Sequence, residues 1–93
     1  MATKPERQAA HDAVAAYHEA QLGSLVARVG EAIAGFQAGE LDAFEIDAVI
    51  FQYSRAAKEL WKFCNMMDVF LVAQDIQDRP PVDWWTRGAP KKR

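Results

Sequence analysis

Between two long stretches of helical pattern the chain has room only for a tight reversal, and that reversal decides the fold. Gly39 follows the first stretch, and glycine accepts the left-handed backbone on which helices end. Asp42 then stands three residues before Glu45, the spacing of a capping box, with Leu41 and Ile46 at the positions of a hydrophobic staple. The linker of Gly39, Glu40 and Leu41 lets the second stretch return only antiparallel to the first. The first helix is predicted over about residues 6–38, entered through Pro5, and the second over 43–78, where Arg79, Pro80 and Pro81 stop it. Period-two alternation and Asn-Gly or Asp-Gly turns, the strand signals, are missing from the sequence. The expectation is an all-α protein, a long antiparallel helical hairpin over residues 1–79 with a short aromatic and basic tail over 80–93.

Each helix carries more than one face for packing. In the first, Ala15, His18, Leu22, Leu25, Val29, Ala32 and Phe36 step by three and four residues, and Val26 and Ile33 widen this bulky seam. More than 100° away runs a second seam of Ala9, Ala13, Ala16, Ala20, Gly23, Ala27, Gly30 and Ala34, composed only of Ala and Gly, where another helix could approach closely. In the second helix Ile46, Ile50, Tyr53, Ala57, Leu60, Cys64, Met67 and Leu71 form one seam, flanked by Val49, Ala56, Phe63 and Phe70. From Phe63 to Ala73 apolar residues nearly encircle the predicted helix, a pattern that calls for burial on several sides. A lone hairpin has one buried stripe per helix, so the surplus seams point to dimerisation into a four-helix bundle. The residues expected at that contact are Ala16, Ala20, Gly23, Ala27, Gly30 and Ala34, with Leu25, Val29, Phe36, Leu60 and Phe63.

Composition excludes several classes. The chain is 51% apolar and 26% charged, which is a folding sequence and not a disordered or fibrous one. No apolar run reaches the ~20 residues of a membrane span, and residues 1–8 are too polar for a signal peptide. Together with a single cysteine, which fits a reducing compartment, this points to the cytoplasm. Residues 1–78 hold six Lys/Arg against twelve Asp/Glu, whereas residues 79–93 hold five against one, so an acidic body carries a basic tail.

The tail contains adjacent tryptophans, Trp84 and Trp85, with Asp83 placed to cap a helical turn around them and Arg87 one turn on. Such a pair either packs back onto the helices or anchors a partner, since Trp and Arg dominate binding energy at interfaces. The residues expected to meet a partner are Trp84, Trp85 and Arg87, with Met66, Met67 and Phe70 from the apolar stretch of the second helix. Lys91, Lys92 and Arg93 offer at most a weak, salt-sensitive hold on nucleic acid.

Chemistry is sparse. His11 and His18 share a helix face and could hold a metal or haem across a twofold axis, the alternative to an interaction role. Glu-x-x-His, His-Glu-x-x-His and Cys-x-x-Cys do not occur in the sequence. Cys64 lies on an apolar seam, Ser24 and Ser54 lie within helices, and the glycines are scattered singly, so nucleophile elbows and phosphate loops are missing too. No cofactor and no catalysis are expected. The outline of a short helical hairpin with an aromatic and basic tail resembles small bacterial accessory proteins, antitoxin-like partners of toxins among them. That likeness is one of size and architecture and carries no residue across. The surplus seams and the Trp-Trp tail point to a non-catalytic helical protein–protein interaction module, an accessory or regulatory subunit.

Overall fold

The computed structural model describes residues 2–91, and among them the architecture is all-helical. Helix α1 spans Lys4–Gln37, α2 Ala43–Asn65, α3 Val69–Asp78 and α4 Trp84–Arg87. The reversal is built as the sequence requires. Gly39 takes φ 78°, and the amides of Glu40 and Leu41 both donate to the carbonyl of Gly35. A Cβ on Gly35 would lie 3.1 Å from Leu41 Cδ1, so the small residue makes space for Leu41 to fold back. Asp42 accepts from the Glu45 amide at 2.8 Å, and Glu45 accepts from the Asp42 amide at 3.1 Å, which completes the capping box. At the other end Thr3 caps α1, with Pro5 and Glu6 in its first turn.

The hairpin is as expected, but its second arm is two helices and not one over 43–78. The chain leaves α2 after Asn65, whose side-chain amide donates to the Trp61 carbonyl at 2.9 Å. It re-enters a helix at Asp68, whose carboxylate accepts from the amides of Phe70 and Leu71 at 2.9 and 3.4 Å. An aspartate that can cap competes with helix continuation, and here capping wins. The break changes phase. Had the helix run on, Met67 and Leu71 would have followed Cys64 into the core; both are exposed, and Val69, Val72, Ala73 and Ile76 turn inward instead. The encircling apolar stretch is therefore two different faces on two helices.

Tail and body form one packed unit. Asp83 caps α4 by accepting from the amide and hydroxyl of Thr86, as its position suggests. The short helix then lies on α2: Gln52 Nε2 donates to the Trp85 carbonyl at 2.9 Å and Arg55 Nε to the Gly88 carbonyl at 2.6 Å. Gly88 is buried because it touches backbone; a Cβ there would stand 2.5 Å from both Ala56 N and Gln52 O. The core runs through Val14, Leu25, Ala56, Leu60, Cys64, Val72 and Trp84. With extents of 56 × 30 × 19 Å and a radius of gyration of 16.3 Å, the molecule is a flat slab. A compact chain of this length would have a radius near ~12 Å.

Gly88 sits at φ −89°, which any residue adopts, so replacing it tests contact and not backbone freedom. Gly88→Ala is expected to push α4 off α2 and cost about 1–3 kcal/mol, the usual cost of overpacking. Denaturant unfolding should show a lowered midpoint and native-state tryptophan fluorescence a red shift; unchanged values for both would contradict this packing.

Candidate functional site

The two broad faces of the hairpin differ. At 100° per residue, Gln21, Ser24 and Arg28 flank Leu25 on one side of α1, while Gln52 and Arg55 flank Ala56 on the same side of α2. This side receives the tail, and a furrow of about 100 Å³ there is lined by Gln21, Ser24, Leu25, Arg28 and residues 82–85. The other side holds Val26, Val29 and Ile33 from α1 and Ile50, Tyr53 and Trp61 from α2. Val26, Val29, Ile50 and Tyr53 enclose a furrow of about 330 Å³ between the helices. No other segment among the described residues lines this furrow.

On the covered side the tail is held by a connected set of contacts. Trp84 is 5% exposed, its Nε1 donates to the Tyr17 hydroxyl at 2.8 Å, and its ring meets Phe63 at 5.4 Å between centroids. Phe63 in turn meets Tyr17 edge-on at 6.0 Å. Arg28 lies over the Trp85 ring at 5.6 Å and Arg87 over that of Trp84 at 5.9 Å, within cation–π range. Trp84 is therefore corrected as an outward anchor: its ring completes the chain's own core. Trp85 is half-buried and Arg87 exposed. Tyr17, Gln52, Arg55 and Gly88, which seat the tail, carry no sequence signal distinguishing them from an ordinary polar helix face and a scattered glycine.

The other expected residues divide. Met66, Met67 and Phe70 are exposed at the break between α2 and α3, beside Leu71. Of those expected to join two copies, Leu25 and Leu60 are corrected, because the hairpin's own core buries them to 3% and 0% exposure. Phe63 is half-buried under Trp84 and also serves that core. Val29 is half-buried and Phe36 exposed. Ala16, Ala20, Gly23, Ala27, Gly30 and Ala34 are exposed on the outer edge of α1, and a Cβ on Gly23 or Gly30 would meet nothing within 4 Å. Among the described residues no other helix packs on that seam. Trp61, 53% exposed on the same side of α2 as Ile50 and about three turns along it, falls one position off the main seam.

His11, exposed, and His18, half-buried, line a furrow of about 400 Å³ with Cys64, Asn65 and Met67. Among the described residues no group of three or more His, Cys, Asp or Glu is placed to hold a metal ion. Burial pushes the Cys64 thiol up from its ordinary range, opposite to the shift that activates a thiolate nucleophile. Lys91 is exposed, while Lys92 and Arg93 lie outside the described residues. Among those residues no helix is long and apolar enough to cross a membrane. Comparison with protein-family models, with curated proteins and with solved structures finds no match to the chain.

The tail cap makes one prediction in pH. The Asp83 carboxyl is held below its ordinary value of 3.8 by hydrogen bonds from the Thr86 hydroxyl and amide, opposed by desolvation and helped by Arg28. A lowered folded-state value means that this contribution is present above the ordinary value and lost as pH falls through the lowered one. Acid titration followed by tryptophan fluorescence should show a tail transition in that window, and Asp83→Asn should remove it. An identical acid transition in the variant would contradict the assignment.

Proposed function

We propose that the chain is a non-catalytic helical interaction module of the cytoplasm, an accessory or regulatory subunit that self-associates and binds another protein. The observation that carries this reading is the surface. Val26, Ile33, Phe36, Phe44, Ile50, Phe51, Trp61, Met66, Met67, Phe70 and Leu71 are all at least 37% exposed. Scattered surface hydrophobics are ordinary, but Val26 and Ile50 line one furrow and Met66, Met67, Phe70 and Leu71 lie together at the break between α2 and α3, and apolar patches of this kind mark protein contacts. The free open face favours self-association.

For the second partner, the step between α2 and α3 is the better surface. Met66, Met67, Phe70 and Leu71 form an exposed apolar patch, and methionine adapts to varied partner surfaces. The tail contributes Arg87 and the outer edge of Trp85, whereas Trp84 works indirectly by holding α4 in place.

Two measurements test the reading. Light scattering across a concentration series should give a stable multiple of the 10.4 kDa chain mass. Met66→Glu combined with Phe70→Glu, in a chain of unchanged helicity, should abolish co-purification of the protein that the unaltered chain retains. A chain that is monomeric at all concentrations and retains no protein would contradict the proposal.

A further inference from the structure

We infer that a second copy of this chain docks on the open face of the hairpin, centred on the furrow between Val26, Val29, Ile50 and Tyr53 and flanked by Ile33 and Trp61. This rests on the self-association reading above and says which of several exposed surfaces makes the contact.

Sidedness is the first argument. The tail occupies one face of the hairpin and supplies its missing hydrophobic layer; the opposite face has the same need, and among the described residues nothing meets it. Val26, Ile33, Ile50 and Trp61 are 52%, 43%, 47% and 53% exposed, although each stands directly beside the buried seam.

Area is the second. A monomer of this mass folded to ordinary compactness would expose about 5,400 Å². The chain exposes 7054 Å². The excess, about 1,700 Å², is roughly twice what each partner buries in a standard interface and lies in the range of obligate homodimers.

Complementarity is the third. Leu22, Val26, Val29, Ile33 and Phe36 on α1 and Ile46, Ile50, Tyr53 and Ala57 on α2 step by four and three, the spacing at which helix ridges interdigitate with ridges of the same spacing. The middle of the face is uncharged, so closing it desolvates no ion. Two charges stand at its α2 rim, Asp47 and Lys58, of opposite sign and each about a turn and a half from Tyr53. A twofold axis lying across the hairpin near Val29 and Tyr53 sets α2 antiparallel on its copy and brings Asp47 of each chain beside Lys58 of the other. The contact is then isologous and closed, and the assembly stops at two.

The test compares three full-length proteins by light scattering over a common concentration series, with helicity monitored in parallel. The unaltered chain is expected at twice its mass. Val26→Glu with Ile50→Glu should return it to the single-chain mass with helicity retained, because both side chains are half out of the monomer. Phe51→Glu, which changes a still more exposed side chain on the outer edge of α2, should leave the dimer intact. If the glutamate pair lowers helicity, Val26→Gln with Ile50→Gln replaces it and should weaken dimerisation by more than about tenfold. A dimer that survives the Val26 and Ile50 changes, or that dissociates on Phe51→Glu alone, overturns the placement while leaving self-association standing. A monomeric unaltered chain overturns both.

Discussion

The indole of Trp84 fills the space that opens where α3 steps away from α2, and the arrangement of the other elements depends on that filling. A buried tryptophan removes roughly 150–250 Å² from water, worth about 4–6 kcal/mol, provided that its N–H finds a partner. Tyr17 supplies one, from a helix 67 positions away in the chain. With the ring seated, Gly88 can meet the α2 backbone and Gln52 and Arg55 can bind the tail carbonyls. Without it α1, α2 and α3 would enclose a void between Tyr17, Phe63 and Leu60. The tail is thus a structural layer, which redirects thinking about binding from the tryptophans to the surfaces they leave free.

Two antiparallel helices make a single seam, so a hairpin has two flanks to cover. The chain covers one with its own tail, through residues 82–88, and does so with one short helix. The other flank keeps the heptad spacing of a bundle interior without the other half of the bundle. This asymmetry explains why the molecule is 19 Å thick, why it exposes more surface than its mass calls for, and why its exposed apolar residues cluster.

The sequence makes the hairpin legible because its signals are local and redundant: Gly39, the capping box of Asp42 and Glu45, and the proline pair each mark a boundary independently. The break at residues 66–68 was not legible, since Asp68 is one capping residue within an apolar run and propensity alone favours continuing the helix. The sidedness of the hairpin was half legible. Spacing picks out Leu25, Leu60 and Cys64, which the core buries, but the same seams also include Phe36, Ile50, Met67 and Leu71, which are exposed, and Val26 and Trp61 lie one position from Leu25 and Leu60. A helical wheel cannot say which flank the tail will take. That choice depends on Tyr17, Arg55 and Gly88, which act through tertiary contacts and not through pattern.

The most direct single measurement of the central claim is small-angle X-ray scattering of the purified protein. Face-to-face docking across the open hairpin flank predicts twice the chain mass, with the 19 Å axis thickened where the copies overlap. A twofold axis near Val29 lies toward the loop end of α1 and staggers the copies, so the longest dimension becomes about 70–75 Å. A particle of double mass that is markedly longer or wider at unchanged thickness, or a particle of single mass, would contradict it.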